Sequence, residues 1–200
     1  MLDHGRTLDD CRKAIDLGFT DIMYDGSALP FDENLANTRA IVEEAHALDI
    51  AVEAELGHVG SDHDYQAYGA RGKGFTDPKA VVEFVRETGV DFLAIAVGTA
   101  HGQYDGEPLI DLDLLGEIRE RVDIPLVLHG GSGLSEQQFR DAIGAGIAKI
   151  NIATDLFVAA GQAVAETVAQ GKTSYHAITA ASRDSFQERC AWFIDLFSSP

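Results

Sequence analysis

The sequence predicts an α/β fold built on a parallel sheet. Three observations carry that reading. Short apolar runs of strand length alternate without a break with longer amphipathic stretches of helical period. Each crossover between successive runs is long enough for the strands to pair in parallel. Polar residues capable of chemistry recur where the apolar runs end. In a parallel α/β protein those ends share one face, and active sites form there.

Met1 to His4 reads as the end of a first strand, with a helix over Leu8 to Leu17 behind it. Asp21 to Tyr24 is the second strand, and an Asp-Gly-Ser turn leads into a long helix from Glu33 to Leu48. Ala51 to Glu55 is the third, followed by a polar, glycine-bearing loop from Gly57 to Thr76. Asp77-Pro78 opens the next helix in the favoured order of cap then proline, running to about Thr88. Phe92 to Val97 is the fourth strand, then a loop holding His101 and a helix from Leu112 to Arg121. Leu126 to Leu128 is the fifth, with Ser135 placed to cap a helix over Glu136 to Ile143. Lys149 to Ile152 is the last strand. A helix from Asp155 to about Ala169 follows, then a terminal helix, continuous or broken, from Tyr175 to Leu196.

That is six β/α units in one domain, residues 1–200. A closed (β/α)8 TIM barrel has eight, so the expectation is such a barrel truncated at its N-terminal side to about six units. An open doubly wound sheet competes, and unit count alone favours it.

Composition narrows the function classes. A chain of 200 residues that is 46% hydrophobic can bury one sizeable core. No apolar run is long enough for a bilayer, and no signal-peptide pattern follows Met1. Cys11 and Cys190 form no CxxC pair and read as reduced thiols of a cytoplasmic protein. A net charge of −18, from 33 acidic and 15 basic residues, argues against nucleic-acid and anionic-membrane surfaces. So acidic a chain must hold an anionic ligand with glycine amides, helix N-termini or a metal.

The stretch Pro125 to Leu134, PLVLHGGSGL, places a strand, then His129, then glycine amides at a helix entrance. Taken alone it also fits a glycine-rich turn that merely carries a histidine. The other strand ends add Asp3 and His4, Asp25, Glu53 and Glu55, His101, and Asn151 with Thr154. Three histidines from three strand ends can close around one divalent ion and leave a position open, the catalytic rather than the structural zinc pattern. Gly102, the run Gly130-Gly131-Ser132 and the run Asn151-Ile152-Ala153-Thr154 can surround an anion with amides, a hydroxyl and a helix N-terminus. Asp3 alternates with His4 along its strand and can exchange a proton with a bound hydroxyl. His46 and His176 read as surface or packing residues, while His58 and His63 fall in the long loop, where a catalytic lid is an option.

Six segments together resemble the class II, zinc-dependent ketose-bisphosphate aldolases, fructose- and tagatose-bisphosphate branch. They are Leu2 to Gly5, Gly18 to Ser27, Glu53 to Gly57, Val97 to Gly102, Pro125 to Gly133 and Lys149 to Thr154, in the family's order. The resemblance implies that His4, His101 and His129 bind catalytic Zn2+, and that Asp25 and Glu55 can take a second or displaced divalent ion. It implies that Asp3 exchanges the proton of the C4 hydroxyl. Gly102, Gly130, Gly131, Ser132, Asn151, Ile152, Ala153 and Thr154 would hold the dihydroxyacetone-phosphate half, with a monovalent cation near the phosphate loops. The implied ligands are a sugar bisphosphate and triose phosphates, with no nucleic acid or membrane, and the expected assembly is a homo-oligomer, dimer or tetramer.

Three departures from the family pattern matter. The family's first two β/α units are absent, so the rival reading is an inactive or partner-dependent barrel fragment that keeps metal and phosphate binding. A zinc hydrolase on a barrel is a third reading. The loop Gly60-Ser61-Asp62-His63-Asp64 puts His63 where the family carries the glutamate that deprotonates dihydroxyacetone phosphate, which makes His63 the expected base, with Asp62 or Asp64 as substitutes. Ala153, at a position often acidic in fructose-specific members, leans towards tagatose.

Overall fold

The computed structural model describes residues 1–59, 74–102, 104, 106 and 108–198. The order is β1 (Leu2–Gly5), α1 (Leu8–Asp16), β2 (Asp21–Tyr24), α2 (Phe31–His46), β3 (Ala51–Leu56), α3 (Pro78–Thr88) and β4 (Phe92–Ile95). Then come α4 (Leu112–Arg119), β5 (Leu126–Leu128), α5 (Glu136–Gly144), β6 (Ile147–Ile150), α6 (Thr154–Ala169) and α7 (Tyr175–Ser198). Local chemistry explains several boundaries. Thr7 and Asp10 form a capping box for α1, Ser135 and Gln138 another for α5. Asp77 caps α3 with Pro78 in its first turn, and Gly89 ends that helix in the left-handed conformation.

All neighbouring strands pair in parallel, in the order β1-β2-β3-β4-β5-β6. A doubly wound sheet reverses its winding at a switch point and so shuffles its strand order. Consecutive order throughout means one direction of winding, as in the arc of a barrel, and this decides the competition in favour of the truncated (β/α)8 architecture. The arc curves far enough that the Asn151 side chain, just past β6, donates to Asp3 Oδ1 in β1 at 3.2 Å. Strand ends that are far apart in sequence therefore meet over one mouth.

Packing separates into two layers. Between sheet and helices lies the main core, which includes Ile22, Ile41, Val52, Phe84, Leu93, Leu115, Leu126 and Phe139. Inside the arc is a smaller cluster of Met23, Ala94 and Val127. Strands buried on both faces read as nearly continuous apolar runs, which is why the sequence showed them as runs rather than alternations. Among the described residues, no helix is long and apolar enough to cross a membrane.

Several boundaries differ from the sequence reading, and three of the differences are instructive. β4 stops at Ile95, because Thr76 takes over pairing at Ala96: its backbone N–H donates to the Ala96 carbonyl at 2.9 Å and its hydroxyl accepts from Ala96 N at 2.8 Å. β6 begins at Ile147 and ends at Ile150, two residues earlier than read, because it starts directly after the Gly146 turn at φ 114°. α7 runs unbroken to Ser198. It is held by Phe139 of α5, whose ring centroid lies 5.8 Å from Phe193 and 5.2 Å from Phe197. Phe139→Ala is expected to cost about 3–5 kcal/mol, read as a lowered urea midpoint at unchanged slope; a loss below about 1 kcal/mol would show that α7 does not depend on this contact.

Candidate functional site

The site forms at the C-terminal ends of the strands. His4 near the end of β1, His101 after β4 and His129 directly after β5 turn their rings toward one point. His4 Nε2 lies 3.2 Å from His101 Nε2 and 3.0 Å from His129 Nδ1. The rings meet edge to face, with centroids 4.6 to 5.7 Å apart. His4 reaches this position through a left-handed backbone, φ 55°, coinciding with a register break in β1.

Each ring has an acceptor for its outer side. His4 Nδ1 lies 2.8 Å from Asp25 Oδ2, His129 Nε2 lies 2.8 Å from Glu53 Oε1, and His101 is hydrogen-bonded to the Val59 backbone. A neutral imidazole has one N–H. With the outer nitrogens donating, the inner ones present bare lone pairs to one another at 3.0 Å, which is repulsive unless a cation lies between them. A tetrahedral ion with metal–nitrogen bonds of about 2.05 Å would hold its ligand nitrogens roughly 3.3 Å apart, close to what is seen. The donor set therefore fits a divalent metal, and outer-side acceptors of this kind are what orient metal-binding histidines.

Electrostatics follow from the same contacts. Burial pulls the His4 pKa down, but the hydrogen bond to Asp25 and the charges of Glu55 and Asp25 outweigh it and leave it raised. Burial, then the neighbouring His4 and His129, pushes His101 down to about 4. Burial raises Asp25, yet hydrogen bonds from His4 and Ser27 overcome that and hold its carboxyl well below the usual range. Glu55 is pushed up to about 8, by burial first and by the Asp25 charge second. Its Oε2 is buried without a hydrogen-bond partner and lies 4.0 Å from His4 Nδ1. His4, Asp25 and Glu55 thus form a second group able to hold an ion, each offering an atom within 4.8 Å of the others.

Glycine loops and a helix start lie against this cluster. A cavity of about 150 Å³ is lined by Asp3 and the three histidines on one side, and by Gly102, Gly130, Ser132 and Asn151 to Thr154 on the other. α6 starts here without a side-chain cap of its own, so its first N–H groups depend on what stands beside them. Ser132 Oγ accepts from Asp155 N at 3.0 Å. Arg189 of α7 grips both Asp155 carboxylate oxygens at 2.7 and 2.9 Å, which fixes that helix end. A larger cavity of about 530 Å³ shares Gly102, Ser132 and Thr154 and continues between α6 and α7. Gly130 has φ 69°, and a Cβ there would stand 2.4 Å from the Ala100 carbonyl oxygen, so only glycine lets these two loops close together.

Most of the residues singled out from the sequence gather at this mouth. Gly131 stands behind it: its N–H donates to the Asn151 carbonyl at 3.3 Å and is not directed at the cavity. Asp25 and Glu55 lie beneath the histidines. His63, with Asp62 and Asp64, lies outside the described residues. His46 pairs with Asp91 on the surface at 2.9 Å. His58, in the loop after β3, approaches Ser27 Oγ at 3.2 Å. Two contributors were not read from the sequence. Tyr104 bridges the loops, its hydroxyl accepting from Ala100 N at 2.8 Å and donating to the Gly130 carbonyl at 2.7 Å. Lys149 lies inside the arc, donating to Glu53 Oε2 at 2.9 Å and Asn151 Oδ1 at 2.7 Å. No motif marks Tyr104. Lys149 could have been flagged as a lone cation in an otherwise apolar strand.

The raised carboxyl gives a stability test on the metal-free chain. Glu55 goes from an ordinary 4.5 when unfolded to about 8 when folded, so between those values the folded state binds the extra proton. Its contribution is present below the lower value and lost as pH rises through the upper one. Glu55→Gln should therefore gain stability relative to the parent as pH rises from 4.5 to 8, read from urea midpoints across that range. A difference that stays flat with pH would contradict the burial effect.

The full chain, residues 1–200, matches the family model for class II fructose-bisphosphate aldolase. Among solved structures, the YdjI aldolase from Escherichia coli K12 aligns with a TM-score of 0.85 at 39% identity, covering 98% of this chain and 68% of that one. A candidate fructose-1,6-bisphosphate aldolase from Coccidioides immitis aligns at 0.84 and 29% identity, covering 98% of this chain and 69% of that one. The fructose-bisphosphate aldolase of Campylobacter jejuni, at 22% identity and a TM-score of 0.74, shares the fold over 97% of this chain and 69% of its own.

Proposed function

This chain belongs to the class II fructose-bisphosphate aldolase family, and we propose that it catalyses zinc-dependent, reversible C3–C4 cleavage of a ketose 1,6-bisphosphate. Fructose and tagatose bisphosphates are the proposed substrates, with dihydroxyacetone phosphate and glyceraldehyde 3-phosphate as products. One observation carries the proposal: three imidazole nitrogens converge at 3.0 and 3.2 Å, beside a cavity whose far wall is glycine loops and a helix start with no cap of its own. His4, His101 and His129 would hold the zinc. Asp25 and Glu55, with His4, would take a second or displaced ion, a use that suits the unpartnered Glu55 Oε2.

Bound there, zinc would act as a Lewis acid for the substrate carbonyl and the negative charge that builds on it. The chain's own groups do the rest. Gly102, Gly130, Ser132 and the start of α6 present polar groups to the phosphate and fix the reacting carbons in place. Asp3 lines the same cavity, with its Oδ1 3.8 Å from His4 Nε2 and held by Asn151. In that position its carboxylate takes the proton of the C4 hydroxyl on cleavage and returns it on condensation. His63 remains the proposed base at C3 on sequence grounds, and Gly131 supports the phosphate loop from behind.

Chelation should abolish retro-aldol activity, measured by coupled reduction of dihydroxyacetone phosphate, and zinc should restore it. Activity that survives chelation and is trapped by borohydride would sink the metal reading. Zinc binding without turnover would favour the barrel-fragment reading instead. Asp3→Asn should lower kcat by about 10²- to 10⁴-fold at unchanged zinc content; a loss below threefold would remove Asp3 from proton transfer.

A further inference from the structure

Glu53 is almost wholly buried, at 1% exposure, and sits in the middle of β3, paired in register with Met23 and Phe92. Each of its oxygens has one partner. Oε1 faces His129 Nε2 at 2.8 Å, and Oε2 accepts from Lys149 Nζ at 2.9 Å. The same ammonium donates to Asn151 Oδ1 at 2.7 Å. The Asn151 amide nitrogen lies 3.4 Å from His129 Nδ1 and 3.3 Å from Nε2, so it does not discriminate between the ring's two tautomers. Glu53 does: an acceptor-only group at Nε2 requires the proton there and leaves Nδ1 bare.

We propose that Glu53 is a positioning residue that fixes His129 as the Nε2–H tautomer, and that Lys149 dictates how the two oxygens of Glu53 are shared. The inference deepens the metal-site reading and rests on it for its functional meaning, since Nδ1 is the atom turned toward His4 Nε2. Lys149 also ties this arrangement to Asn151, whose amide holds Asp3 at 3.2 Å. One ammonium therefore aligns the carboxylate behind a metal ligand and the amide beside the proton-transfer group.

The geometry gives an unusual pair of variants. In E53Q the amide oxygen must stay with Lys149, because an NH2 there would face the ammonium. The NH2 is then left to face His129 Nε2, which must accept, and the proton moves to Nδ1. In E53Q/K149M the ammonium is gone, the amide can turn its oxygen to His129, and the Nε2–H tautomer returns. Long-range ¹H–¹⁵N spectra of the metal-free chain at about pH 9, above the ordinary imidazole range, report the tautomer directly. The His129 signals are assigned by their loss in His129→Gln. The expected result is Nε2–H in the parent, Nδ1–H in E53Q and Nε2–H again in the double variant. Zinc affinity, by competition with a chromophoric chelator, should fall about 10- to 100-fold in E53Q and largely recover in the double variant.

An Nδ1–H parent overturns the proposal, as does an E53Q chain that keeps Nε2–H, or a double variant that matches E53Q. Should E53Q not fold, the parent and double-variant spectra still decide. The tautomers are read without metal, so parent and variants that follow the expected pattern while the parent binds no zinc would sustain the role of Glu53 and refute the metal reading alone.

Discussion

Three imidazoles packed at about hydrogen-bonding distance from one another impose the main constraint on this molecule. His4 is 97 residues from His101 and 125 from His129, so nothing local can bring them together. Only the sheet does. Parallel strands wound in one direction place each C-terminal end beside the next, and curvature then turns the ends inward. The apolar runs of the strands, the caps of the helices and the aromatic contact of α5 with α7 all serve that placement. A slip of one residue in β1 or β5 would turn the His4 or His129 ring out of the mouth, since neighbouring side chains point to opposite faces.

Beneath the histidines the chain buries carboxylates, which is costly unless each has partners. Glu53 has two, His129 and Lys149, and against the upward push of burial they hold its pKa below the ordinary range. Asp25 has His4 and Ser27. Glu55 has the Val59 N–H on Oε1 and nothing on Oε2, and its pKa rises accordingly. Negative charge at this depth favours a cation at the cluster it surrounds. Within a chain of net charge −18, the facing wall of the cavity is instead uncharged: glycine loops, the Ser132 hydroxyl and the start of α6.

How much of this was legible in the sequence differs by residue and for physical reasons. The strand ends could be read because parallel strands are buried on both faces, so a histidine or aspartate after an apolar run stands out. Ser135 and Asp77 are legible as caps because capping is set by residues two or three apart, Lys79 N for Asp77 and Gln138 N for Ser135. The end of β4 could not be read, because it depends on Thr76 returning from a distant loop to bond Ala96. The sequence marks Glu53 as a polar residue near a strand end and as the start of a family-like segment, but not as a residue within β3, inside the arc. Lys149 was read as an ordinary strand residue, because a lysine becomes part of a site only through a partner, and Glu53 is 96 residues away. The Tyr104 bridge is equally invisible, since any hydroxyl at that point of the loop looks like solvent-facing polarity.

The two halves of the mouth are built on different principles, and the difference bears on function. The histidine side is a closed set of side-chain contacts in which every ring has an acceptor behind it and one preferred orientation. The facing side is backbone, held by a glycine that no other residue can replace at Gly130, by the Tyr104 bridge, and by Arg189 gripping the start of α6. Asn151 stands where they join, with Lys149 on its oxygen and Asp3 on its nitrogen. For aldol chemistry this division is apt. In the proposed reaction the phosphate would need only to be anchored, and an uncharged wall of glycine loops and a helix start suits that without a charge that would compete with a metal. The reacting carbons need donor atoms placed to a fraction of an ångström, and only side chains locked by their own hydrogen bonds give that precision.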